Sequence, residues 1–207
     1  MTTYTGNTSS LFLQNGDVIA PGAIVGVLYG LYVIQIDNDA VVRIAGTVWG
    51  AAPVLAYSGA TLTVAPSGRI TGSDRAGLET ESGGTLNNYG SIDGENFGVF
   101  LSGGASNVVN NVGLISGNRY GVYVYAGSSY TSLNFNNLGG TVIAETAIVG
   151  AGDLTTVNNI GLIASYNGTA GTAVLNRDAT VTFTPNSNFN GTADFTYTVT
   201  DGSLSSN

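Results

Sequence analysis

Asn87-Asn88-Tyr89-Gly90-Ser91-Ile92-Asp93-Gly94 and Asn110-Asn111-Val112-Gly113-Leu114-Ile115-Ser116-Gly117 are one phrase written twice. The Asn-Asn-x-Gly part returns as Asn136-Asn137-Leu138-Gly139 and Asn158-Asn159-Ile160-Gly161, and the four glycines fall 23, 26 and 22 residues apart. A period near 22 is too short for a repeat made of paired helices and fits one coil of a β-solenoid. Outward from there, the Gly-x-Ile/Val-x-Gly part recurs at Gly46-Thr47-Val48-Trp49-Gly50 and Gly68-Arg69-Ile70-Thr71-Gly72. Looser copies stand at Gly140-Thr141-Val142-Ile143-Ala144 and Gly161-Leu162-Ile163-Ala164-Ser165. A further short strand follows at Gly77-Leu78, Gly98-Val99, Gly121-Val122 and Ala147-Ile148. Each coil thus holds two or three short strands between Gly-rich corners, where glycine is expected for its easy access to positive φ.

Alternation assigns the faces. One inward column reads Val42, Val64, Leu86, Val109, Phe135, Val157; a second reads Val48, Ile70, Ile92, Ile115, Val142, Ile163. A third reads Val54, Leu78, Val99, Val122 and Ile148, with Val174 as its candidate continuation. The fold expected is all-β: a right-handed parallel β-helix of about 22 residues per coil. The repeated asparagines are expected to stack as a ladder at one corner. Periodicity alone leaves open which Asn of each pair points inward.

Composition agrees. Apolar residues are 43% of the 207 and charged residues 9%, so the chain can build a core. There is no Lys and there are four Glu, which disfavours long helices. A net charge of −8 opposes nucleic-acid binding and repels anionic membranes. The apolar run from Ala23 to Ile36 is broken by Gly26 and Gly30 and is too short to insert in a bilayer. Absence of Cys and His excludes thiol chemistry, disulfides, zinc-thiolate sites and a His base. Neither a P-loop nor a dinucleotide fingerprint is present.

Residues 1–39 match the period poorly and read as an N-terminal cap with an irregular first coil. Residues 40–176 read as the solenoid proper. Residues 177–207 lose the repeat. Thr180 to Thr184 and Asp194 to Thr200 alternate threonine with Val, Phe and Tyr around a Pro185–Gly191 turn, which predicts an antiparallel hairpin. The pattern Val181-Thr182-Phe183-Thr184-Pro185, then Asn188-Phe189-Asn190-Gly191-Thr192, then Phe195-Thr196-Tyr197-Thr198-Val199-Thr200-Asp201-Gly202, resembles the tandem cadherin-like repeats of very large bacterial surface proteins. The resemblance implies an adhesin or matrix protein, extracellular or at the cell surface, exported by a type I route without an N-terminal signal peptide. The family's earlier strands and its final strand have no room beside this hairpin, so a C-terminal capping role is the alternative. The coils themselves look like the Gly/Asn-rich β-helices of bacterial adhesins, autotransporter passengers and phage tail proteins.

Candidate sites follow from the faces. If Leu78, Val99 and Val122 point in, Phe100, Tyr123 and Tyr125 point out, with Phe97 and Tyr120 at the adjoining corner. Such an exposed strip suits a sugar or another protein surface, including a second copy of the chain. Glu79 and Asp93, on neighbouring coils, are the acidic pair an enzyme would use, because glycoside cleavage needs two carboxylates about 5–9.5 Å apart. A lyase would also need a basic group, for which Arg75 or Arg119 is the candidate. No catalytic residue is assigned. No cofactor is expected, although Asp37-Asn38-Asp39 offers clustered oxygens to Ca²⁺ and is also an ordinary corner turn. The function expected is a non-catalytic stalk, spacer or adhesive segment of an exported bacterial protein. The alternatives are a polysaccharide-binding or polysaccharide-cleaving β-helix and a self-assembling fibre or phage tail element.

Overall fold

The computed structural model describes residues 1–6, 8–27, 32–102, 106–125, 132–150, 155–167, 171–175, 181–185, 199–200 and 205–206. They form an all-β solenoid of parallel strands, with no helix among them. Three sheets run along the stack. The first has eight strands: Thr3–Tyr4, Val18–Ile19, Val41–Ile44, Thr61–Val64, Thr85–Asn88, Asn107–Asn111, Leu133–Asn137 and Thr155–Asn159. The second has nine: Ile24–Gly26, Thr47–Gly50, Arg69–Gly72, Ser91–Gly94, Leu114–Gly117, Thr141–Ala144, Leu162–Asn167, Gly171–Leu175 and Val181–Pro185. The third has seven: Leu11–Leu13, Tyr32–Ile36, Ala52–Ala56, Ala76–Thr80, Phe97–Leu101, Tyr120–Val124 and Thr146–Gly150. One coil gives one strand to each sheet in turn. The strands of residues 3–36 lie in these same three sheets.

The core sits between the sheets, where alternation sends one side of every strand inward. The second column stacks in the expected register, Val48–Ile70–Ile92–Ile115–Val142–Ile163. The third runs Val54–Leu78–Val99–Val122–Ile148, also as expected. The first needs a correction. Its members are Val42, Leu62, Leu86, Val109, Phe135 and Val157, so Leu62 stands where a fixed period puts Val64, and Val157, expected inward, is exposed at the end of the column. Val64 is buried, but one inward position along, in the column Ile44–Val64–Asn88–Asn111–Asn137–Asn159. The cause is corner length. Val64 is followed by a four-residue turn closed by the Gly68 amide donating to the Ala65 carbonyl at 2.7 Å. Asn88 is followed by a tighter corner, Tyr89-Gly90, in which its own Oδ1 accepts from the Gly90 amide at 3.2 Å. The longer turn shifts the strand by two residues and keeps the same face inward.

Glycine serves the corners for a different reason from the one expected. Among the described residues, the glycines with positive φ are Gly16, Gly22, Gly59, Gly83 and Gly139. The other repeat glycines have ordinary φ and are required by space. A β-carbon on Gly113 would strike the carbonyl oxygen of Gly90, and one on Gly161 would strike that of Gly140. Backbones of successive coils pass too close there for any side chain. Gly139, at a φ of 103°, is one extra residue, so Gly140 rather than Gly139 takes the place beneath Gly161.

The stack changes character at Leu162–Asn167. This strand pairs parallel with Thr141–Ala144 on one side and antiparallel with Gly171–Leu175 on the other. Gly171–Leu175 in turn pairs antiparallel with Val181–Pro185. Val174 therefore lies opposite Ala164 in the second sheet and does not extend the third column. The strand expected at Thr180–Thr184 exists, but its observed partner is Gly171–Leu175. Most of the expected partner, residues 194–198, lies outside the described residues, and Val199–Thr200 pairs with Ser205–Ser206.

Candidate functional site: an aromatic groove on the third sheet

The outward face of the third sheet carries the features that distinguish this chain from a bare rod. Strand register stacks Phe97 on Tyr120 and Phe100 on Tyr123. The ring pairs are nearly parallel, with centroids 5.4 Å apart at 12° for Phe97–Tyr120 and 5.7 Å apart at 13° for Phe100–Tyr123. Cross-contacts bind the two stacks into one cluster: Phe97–Phe100 at 5.1 Å, Tyr120–Tyr123 at 4.9 Å and Phe100–Tyr125 at 6.2 Å. The expected strip is thus assembled, but it is no open sheet of rings. Phe100 is only 8% exposed, Phe97, Tyr120 and Tyr123 are half-buried, and Tyr125 is exposed. Outward-pointing rings of this size cover one another, which lowers the apolar area left to water.

Two guanidinium groups complete the wall. Arg75 lies 5.1 Å over the Phe100 ring and Arg119 lies 5.4 Å over the Tyr120 ring. Both distances suit attraction between a cation and the negative face of an aromatic ring. Together with Glu79 and Ser102 these residues line an open groove of about 500 Å³.

Glu79 is held rather than free. Its Oε1 is 3.4 Å from Arg75 Nη2, and its Oε2 accepts from the Tyr32 hydroxyl at 3.1 Å. Tyr32 reaches it from two coils away because the intervening positions of its column are Ala52 and Ala76, which leave room for the ring. Burial, then the charge of Glu79, pushes the Tyr32 hydroxyl above the ordinary tyrosine value of 10.0. Sequence reasoning misses Tyr32. The signal is there, an aromatic followed by alanines in one column, but it becomes visible only once residues 32–36 are placed in the third sheet.

The structure does not bring Glu79 and Asp93 together on one face. Glu79 belongs to the third sheet. Asp93 belongs to the second, between Thr71 and Ser116, and accepts a hydrogen bond from the Ser116 hydroxyl. Asp37-Asn38-Asp39 forms a corner turn in which the Asp37 carboxylate accepts from the Asn38 amide at 2.8 Å and Asp39 takes a φ of 54°. Among the described residues no group of three or more acidic, His or Cys side chains is placed to hold a metal ion.

The asparagines split by face. The second of each pair, Asn88, Asn111 and Asn137, is fully buried and forms an inner ladder. Nδ2 of Asn88 donates to Oδ1 of Asn111 at 2.8 Å, Asn111 to Asn137 at 2.9 Å and Asn137 to Asn159 at 2.8 Å. Main-chain partners fix the amide orientation, for Asn88 Nδ2 also donates to the Leu114 carbonyl. The first of each pair, Asn87, Asn110, Asn136 and Asn158, forms an outer ladder of 2.7–2.9 Å bonds at the surface. Asn159 ends the inner ladder with its Nδ2 buried and unpartnered among the described residues. The ladders are structural, and the groove is the candidate site.

Among the described residues no helix is long and apolar enough to cross a membrane. A family model described as a cadherin-like domain matches residues 139–207, one third of the chain. The match begins inside the last parallel coils and continues through the antiparallel strands. No curated protein matches the chain, and no solved structure matches it. The C-terminal third is thus similar to a cadherin-like domain, over a longer stretch than the threonine-rich strands alone would mark.

Proposed function

We propose that this chain is a structural or adhesive segment of an extracellular, cell-surface repeat protein. The solenoid acts as a stiff spacer, and the groove on the third sheet is its point of contact with a polysaccharide or protein surface. The observation that carries the reading is the continuity of a parallel stack with a C-terminal third similar to a cadherin-like domain. A stack in which each coil rests only on its neighbours gives length and lateral stiffness without a catalytic cleft. A polysaccharide-cleaving role has less support, because Glu79 is occupied by Arg75 and Tyr32 and Asp93 stands on another sheet.

The test is attachment. Beads carrying the full chain at a defined density are passed over cell-wall and extracellular-matrix preparations under flow. Retention above that of beads carrying an unrelated acidic β-protein supports the adhesive part. Retention equal to that control on every surface leaves the spacer role alone.

A further inference from the structure

The groove's chemistry narrows the contact, and this step rests on the adhesive reading above. The groove presents ring surface from Phe97, Tyr120, Tyr123 and Tyr125, which suits the apolar C–H face of a pyranose. It also offers both hydrogen-bonding polarities. The hydroxyls of Tyr120 and Tyr123 have no hydrogen-bond partner among the described residues. Ser102 donates its hydroxyl hydrogen to the Thr80 carbonyl at 2.9 Å, which leaves its oxygen to accept. The two guanidinium groups donate, and the Glu79 carboxylate accepts. Mixed donors and acceptors beside ring faces match a hydroxyl-rich ligand better than an apolar peptide.

Charge decides between sugar classes. Arg75 is paired with Glu79 at 3.4 Å, which leaves Arg119 as the other cation of the groove, outnumbered by the acids around it. Asp74, Glu81, Glu95 and Glu145 stand exposed on the adjoining corners, in a chain of net charge −8. That field repels an anionic polymer. The rings are locked by contacts across two coils, so a ligand would meet a preformed wall. We infer that the groove is a subsite for an uncharged glycan, with Tyr120 and Tyr123 as its principal contacts.

Affinity electrophoresis of the full chain tests this in gels containing dextran, hydroxyethyl cellulose or galactomannan, with polygalacturonate and alginate as anionic probes. At least one neutral polymer should retard the protein and the anionic ones should not. Tyr120→Ser with Tyr123→Ser should lower that affinity by about tenfold or more. Tyr120→Phe with Tyr123→Phe keeps the rings and should give a smaller loss. Unchanged circular dichroism and melting temperature show that each variant folds. Retardation by the anionic polymers alone, by none of the five, or equally in the Ser variant overturns the inference. A dimer in sedimentation velocity that the Ser variant abolishes overturns it in favour of a second copy. Bead retention that survives the Ser variant leaves the adhesive reading standing while this one falls.

Discussion

Asn110 and Asn111 are neighbours in sequence with different energetic consequences. Asn111 is fully buried and sits mid-ladder, accepting from Asn88 and donating to Asn137 and to the Thr141 carbonyl. Asn111→Ala strands one N–H of the Asn88 amide and the Asn137 Oδ1 in a dry corner and should cost about 2–4 kcal/mol, read from denaturant unfolding. Asn110→Ala breaks two bonds of the outer ladder, but water replaces them, so about 0–1 kcal/mol is expected. Equal losses would refute the inward assignment of the second Asn. Tyr32 offers a second residue-scale test. Its hydroxyl should titrate by ultraviolet absorbance above 10.0, and Glu79→Gln should bring it down. The raised value means that the Tyr32–Glu79 contact is intact below the ordinary tyrosine value and is lost as pH rises through the folded one. The inward Asn is encoded by alternation, since Asn88, Asn111 and Asn137 stand two residues past the inward Leu86, Val109 and Phe135, but the repeat period by itself does not show it.

At the scale of strands and corners, the apolar columns were legible because Ile70, Ile92 and Ile115 recur at near-constant spacing inside the same Gly-x-Ile-x-Gly strand. Val64 escapes a fixed period because Pro66 and Ser67 lengthen one corner. The corner glycines were legible as glycines but not in their cause. Gly113→Ala should destabilise by roughly 1–3 kcal/mol through collision with the Gly90 carbonyl, although its φ is ordinary. Gly22→Ala, at a φ of 79° with nothing within 4 Å of the added carbon, should cost about 1–2 kcal/mol from the left-handed backbone alone. The mechanisms separate on substitution by asparagine, which tolerates the left-handed region. Asparagine should recover stability relative to alanine at position 22 and worsen it at position 113, by thermal unfolding. The groove was legible in outline, since alternation points Phe100 and Tyr123 outward. The bracing of Glu79 was not, because Tyr32, which bonds it, comes from a coil where the repeat is weakest.

Across the whole molecule, order is transmitted coil by coil. Ile92 pairs with Ile70 on one side and Ile115 on the other within its column. Ile92→Ala should cost about 2–5 kcal/mol. In native-state hydrogen exchange the loss of protection should be largest in the strands at Arg69–Gly72, Ser91–Gly94 and Leu114–Gly117 and fade toward Leu11–Leu13. Uniform loss along the chain would show that the stack opens as a single unit. The C-terminal third was only partly legible, because its threonine-rich strands announce a break in the repeat without saying where the coils stop.

That stopping point has a consequence for length. With Gly171–Leu175 running against Leu162–Asn167, the second sheet offers the next circuit a lane of the wrong direction. Extra copies of the Asn-Asn-x-Gly phrase would therefore be accommodated upstream of this reversal and not after it. How tall the column grows is set by where one hairpin turns the traffic around, and lengthening it by duplication has to happen before that bend.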